Sequence, residues 1–104
     1  MGRFDVYESP LADERVHTPF WLDVQADHLS QLATRVVVPL CRCDGSQRPA
    51  ERLNPCFEVA GVTVFADTAN LGTFPKRWLR SPLASLREQR LDIENALDFL
   101  LNGH

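Results

Sequence analysis

Apolar and polar residues alternate with period two in several short runs along most of the chain, then switch to a helical period near its end. Arg3-Phe4-Asp5-Val6-Tyr7 alternates charged and apolar side chains, which predicts a half-buried strand. Ser9-Pro10 breaks that run, and residues 11–19 read as an acidic, polar loop. Residues 20–25, Phe-Trp-Leu-Asp-Val-Gln, resume strand character, and residues 27–34 suit a loop or a short helical turn. Arg35-Val36-Val37-Val38-Pro39-Leu40 is the most strand-like stretch, and its three valines predict burial on both faces. Pro39 has no N–H to give a ladder, so it is expected to end that strand or to sit at an edge. Residues 43–54 form a loop rich in charge, glycine and proline. Residues 55–59 and 62–66 then flank Ala60-Gly61, the pattern of a two-residue β-hairpin. Residues 67–73 read as a turn in which Gly72 is free to take positive φ, and residues 74–79 as a last short strand.

Leu83, Leu86, Ile93, Leu97 and Leu100 fall on one helical stripe. Ser85 with Glu88 has the spacing of a capping box, while Ser81-Pro82 offers an earlier start; Gly103 suits the stop. The expectation is one domain over residues 1–104, with a helix over about 83–102. Five to six short strands followed by one helix predict a mostly β fold, a small barrel or bent antiparallel sheet with the helix packed on it.

Composition narrows the function. At 104 residues, 44% apolar and 24% charged, the chain is large enough for a core without staples. A net charge of −3 argues against a strong non-specific grip on nucleic acid, and the tightest cationic group, Lys76, Arg77 and Arg80, reads as a solvated face. No apolar run is long enough to span a membrane, the N-terminus lacks a secretory signal, and Val6 stands where myristoylation needs Ser or Thr. A cytoplasmic protein is expected. Cys41, Cys43 and Cys56, with His17, His28 or His104, would be the only metal ligand set, but the Cys41-x-Cys43 spacing is too tight for a usual zinc pair. Reduced thiols at a strand end are the better reading.

Little in the sequence is arranged for catalysis. There is no glycine-rich phosphate loop, nucleophile elbow or zinc-binding His-Glu motif. Asp92, Glu94 and Asp98 are carboxylates on the helix, but Arg90 lies four residues before Glu94, so an ion-paired solvated face is expected. His17 and His28 lie in separate loops and read as surface histidines. No catalytic residue, metal or cofactor is expected.

Four segments, in order and spacing, resemble the CcdB family of bacterial toxins. They are Phe4-x-Val6-Tyr7, Leu22-Asp23-Val24-Gln25-Ala26-Asp27, Arg35-Val36-Val37-Val38-Pro39-Leu40, and Asp92-Ile93-Glu94-Asn95-Ala96 with Gly103 next to the end. The resemblance covers nearly the whole chain. It implies an SH3-like barrel with a C-terminal helix, a two-fold homodimer, and a toxin that traps DNA gyrase with its DNA cut by binding the A subunit. It also implies an antitoxin whose disordered tail wraps the toxin near residues 9–17 and 42–52, the complex repressing its own operon, so that DNA is met only through that complex. The gyrase-facing positions carried over are His28, Leu29, Asp98, Leu101, Asn102, Gly103 and His104. The family typically ends Phe-Trp-Gly-Ile; here Asn102 replaces the aromatic anchor and His104 the terminal Ile. Loss of such an anchor costs about 2 kcal/mol or more, roughly thirtyfold in affinity, unless the partner surface has changed too. Alternatives are a divergent toxin with another target, an attenuated relative kept as an antitoxin-binding co-repressor, or an endoribonuclease toxin on the same barrel. The last would draw on Arg35, Arg42 or His17.

Overall fold

The computed structural model describes residues 2–43 and 52–103. Alternation decides which side chains go inside. In β1 (Asp5–Glu8), β2 (Phe20–Asp23) and β3 (Thr34–Arg42), one face contributes Val6, Phe20, Leu22, Val38 and Leu40 to the main core. β4 (Cys56–Val59) and β5 (Val62–Ala66) add Phe57, Val59, Val64 and Ala66. The opposite face carries a second buried cluster, Tyr7, Trp21, Val37 and Leu79, with Phe74 packed on it. The triple valine is explained by these two clusters, Val37 on one side and Val38 on the other.

All pairings are antiparallel, in the order β4-β5-β3-β2-β1 and then Ala84–Ser85, giving a nearly closed, barrel-like sheet. β6 (Gly72–Pro75) and β7 (Ala84–Ser85) bring the described strands to seven, against the five to six expected. β6 and β5 share one edge of β3, β6 on its first half and β5 on its last. The register slips by three residues between the two halves, and the 3-10 turn Thr68–Asn70 absorbs them.

That slip also corrects the expectation for Pro39. β3 runs straight through it to Arg42, and Pro39 pairs with Trp21. A strand residue points its N–H and C=O to the same edge. The Pro39 carbonyl accepts from the Asp67 N–H at 2.9 Å, so its missing N–H faces the gap where β5 gives way to β6. No ladder bond is lost.

The hairpin between β4 and β5 turns at Ala60 and Gly61, with φ of 50° and 79°, the two left-handed positions a type I′ turn needs. Gly72 does not take positive φ; it opens β6 instead, and residues 76–78 close into a 3-10 turn rather than prolonging that strand.

The helix is shorter than its stripe suggested. α1 covers Arg90–Asn102, after a 3-10 turn at Arg87–Gln89. Ala84 and Ser85 pair with Val6 and Asp5, while Leu83 and Leu86 N–H groups donate to the Val6 and Phe4 carbonyls at 2.7 and 2.8 Å. An open sheet edge thus claims the segment that local capping signals assigned to the helix. The capping box is not made: the Ser85 hydroxyl accepts from the Arg87 N–H, and α1 starts without a side-chain cap. Leu86 is buried as expected, but Leu83, which alternates outward, is 50% exposed. Ile93 and Ala96 bury α1 against the core, with Leu97 packed beside them.

Candidate partner-binding site

Five of the seven positions carried over from the resemblance lie on two elements. His28 and Leu29 sit on the 3-10 turn Asp27–Leu29, and Asp98, Leu101 and Asn102 on the last turns of α1. His104 lies outside the described residues. Gly103 ends the helix in the left-handed conformation (φ 74°), donating its N–H to the Phe99 carbonyl at 3.0 Å, as its sequence position suggested. Leu101 is 70% exposed, a large apolar side chain at the tip with no cover in the described residues.

What links the two elements is Arg3, which sequence reading passed over. Its backbone N–H donates to the Asp27 carboxylate at 2.8 Å and its Nε to the Val24 carbonyl at 3.0 Å. Its Nη1 reaches Glu94 on α1 at 3.3 Å. Glu94, Asp98 and Leu101 follow at helical spacing on one stripe, so Arg3 ties the His28–Leu29 turn to the base of the stripe that ends in the tip. Glu94 pairs across to Arg3, therefore, and not along the helix with Arg90. The pair is partly exposed and contributes at most about 1 kcal/mol; its value is in position. Arg3 is itself held in a turn whose next residue, Phe4, has φ of 74°, a strained value for a bulky side chain, with the Arg3 guanidinium over the Phe4 ring at 4.7 Å.

Gln25 fixes the other side of the turn. This buried side chain donates to the Leu29 carbonyl at 2.9 Å and accepts from the Val36 N–H at 3.0 Å. The segment from Leu22 to Asp27 thus reads as a set of tasks: Leu22 and Val24 fill the core, Gln25 and Asp27 brace the turn, and Asp23 forms a buried ion pair. Asp23 accepts two hydrogen bonds from Arg35, Nε at 2.8 Å and Nη2 at 2.9 Å, and both side chains have 0% exposure. Burial lifts the Asp23 carboxyl above its usual range, with Arg35 opposing. Arg35 is locked in this pair, so it is not placed as a cationic group for RNA chemistry.

The Tyr7 hydroxyl and Arg35 Nη1 are buried without a partner among the described residues. Burial pushes the Tyr7 phenol up to about 12, helped by Asp5 and Asp23 and opposed by Arg35. The folded state therefore holds the proton more tightly than the unfolded chain. The associated stability is complete below pH 10 and is lost as pH climbs from 10 to 12, by up to about 3 kcal/mol. Urea unfolding of wild type and Tyr7→Phe at pH 8, 10 and 11.5 checks this: wild type is expected to lose stability relative to the variant, and a constant difference refutes it.

The cysteines stand apart. Cys41 and Cys56 lie opposite Phe65 on its two flanking strands, and no disulfide joins the cysteines among the described residues. Burial raises the Cys41 thiol, which contacts Thr18, away from the thiolate form that binds metal. Among the described residues no three His, Cys, Asp or Glu side chains gather as a metal site, and no helix is long and apolar enough to cross a membrane.

A barrel-like antiparallel sheet that clamps one terminal helix and leaves Leu101 and Asn102 at its end exposed defines a small β platform with a projecting helical tip. The family model described as CcdB protein matches residues 3–103, nearly the whole chain, and the chain belongs to the CcdB family. That family supplies the toxins of toxin–antitoxin systems. None of the curated proteins compared with the chain matches it.

Proposed function

We propose that this toxin is a poison of DNA gyrase: a homodimer whose helix tips bind the A subunit and hold the enzyme with its DNA cut. An antitoxin with a disordered tail neutralises it, and the pair represses its own operon, reaching DNA only as a complex. A binder that prefers the cleaved state shifts the population toward breakage without chemistry of its own. The observation that carries this reading is the exposed tip, Leu101, Asn102 and Gly103, on a helix anchored at Ile93 and braced through Arg3 to the His28–Leu29 turn.

Gyrase-mediated plasmid cleavage with purified protein tests it. The tip lacks an aromatic anchor, so trapping of a standard gyrase is expected to be weak. Asn102→Trp/His104→Ile is expected to lower the protein concentration needed by about thirtyfold. An unchanged dose–response would remove the tip as the contact surface. Prompt cleavage of added RNA at defined sites would replace the gyrase reading with an endoribonuclease.

A further inference from the structure

The loop after β1 and the segment after β6 enclose an open cleft of about 730 Å³, within the size range of small-molecule sites. Tyr7 lines it from the second buried cluster, and the Tyr7 hydroxyl is buried without a partner among the described residues. Arg15, Arg77 and Arg80 line it too, beside the exposed apolar side chains of Trp78 and Leu83. The chain as a whole is acidic at −3, yet Glu8 is the only carboxylate lining the cleft, and it already pairs with Arg15 at 3.5 Å. The Arg15 Nε donates to the Ser9 carbonyl at 2.6 Å, which fixes that guanidinium in place. Arg77 and Arg80 are exposed and form no ion pair among the described residues. Lys76, which the sequence grouped with them, donates instead to the Ser30 carbonyl at 2.7 Å.

Trp78 is 41% exposed but not loose. Its ring sits 5.5 Å from Phe74, which sits 4.5 Å from the buried Trp21. This aromatic row runs from the second core to the surface and holds its last ring on a fixed base. A ring that is already ordered loses little entropy when a flat partner stacks on it.

Two unpaired guanidiniums call for a ligand with at least two negative charges, and their planar forks suit phosphate oxygens. A fixed, exposed indole calls for a flat π-system in the same molecule. A nucleic acid strand would meet both needs within the cleft but would then run on along an acidic chain. A nucleoside diphosphate carries both features in one small molecule. We propose that the cleft binds a free nucleoside diphosphate, its phosphates on Arg77 and Arg80 and its base against Trp78. The site is independent of the gyrase reading, because none of these residues belongs to the helix tip or to the His28–Leu29 turn.

Anisotropy of N-methylanthraniloyl-ADP at low salt, with the full chain and unlabelled competitors, tests the site. Saturable binding is expected. ADP should displace the probe, and pyrophosphate or adenosine, each holding half of the contacts, should do so roughly tenfold less well. Arg77→Glu/Arg80→Glu and Trp78→Ala should each weaken binding by about tenfold or more, and only the arginine variant should flatten the salt dependence. Trp78→Phe keeps a flat ring on Phe74 and is expected to recover most of the loss. Absent binding, failure of ADP to displace the probe, or equal binding by the arginine variant overturns the site. Pyrophosphate competing as well as ADP removes the base from the cleft and overturns the nucleoside assignment. Oligothymidine competing more tightly than ADP makes the cleft a nucleic-acid surface and overturns the free nucleotide.

Discussion

Arg35→Ala is expected to cost about 3–5 kcal/mol of folding stability, the range for breaking a buried ion pair from one side. The carboxylate of Asp23 has 0% exposure and takes both of its strong hydrogen bonds from Arg35, so the variant leaves a charge with little but the Gln25 N–H at 3.0 Å. Burial already disfavours that charge, and removing the guanidinium removes the main effect that holds it. A domain of this size has about 5–15 kcal/mol in hand, so the variant should sit near its unfolding midpoint in mild urea. The pair need not be a net source of stability, however. Asp23→Leu/Arg35→Met removes both charges and keeps the volume, and it is expected to recover most of the loss. Urea midpoints for the single and double variants decide the matter: a double variant as damaged as Arg35→Ala would mean that the arginine contributes something other than charge balance. What the pair gains for the protein is register. It locks β2 to β3 on the face opposite the main core, next to the Gln25 contact that holds the His28–Leu29 turn.

How far the sequence foretold this depends on whether the signal was local. Period-two alternation placed the first strands and the hairpin, because a strand that buries one face must alternate whatever its neighbours do. The stop at Gly103 was equally readable, since it answers to the helix alone. Failures came where a distant strand overrode a local preference. Ser85 and Glu88 have the form of a cap, yet the edge of β1 recruits Ala84 and Ser85 into the sheet. Pro39 looked like a terminator, and only the slip between β5 and β6 makes room for it in mid-strand. Arg90 and Glu94 had ideal helical spacing, but Arg3, at the far end of the chain, takes the carboxylate. Of the candidate site, the positions at the tip and turn were legible through resemblance, while the bracing was not. The one clue was that Gln25 and Asp27 lie in the segment through which the chain resembles the family. The aromatic row ending at Trp78 left no periodic trace, because its three rings come from β2, β6 and the turn after β6.

Ile93→Ala is expected to cost about 2–5 kcal/mol and to fall first on the helix. Ile93 is 3% exposed and packs into the main core, whereas α1 fully buries only one other residue, Ala96, which offers a single methyl. The other holds among the described residues include the half-buried Leu97, the Arg3–Glu94 pair and the Arg52 guanidinium 4.7 Å over the Phe99 ring, each worth less than the isoleucine. A helix of this length is marginal in water without tertiary contacts, so loosening its anchor lets it undock while the sheet keeps its own core. Amide hydrogen exchange therefore offers the sharper readout. Protection across residues 90–102 should fall by at least tenfold, with β2 and β3 nearly unchanged. Leu91→Ala, on a residue 67% exposed, should shift neither region by more than about 0.5 kcal/mol. If the tip is the gyrase contact, plasmid trapping must fall with helix protection in Ile93→Ala at temperatures where the sheet is intact, because an undocked helix cannot present a stiff probe. Trapping that survives the loss of helix protection would show that the poison acts through some other surface.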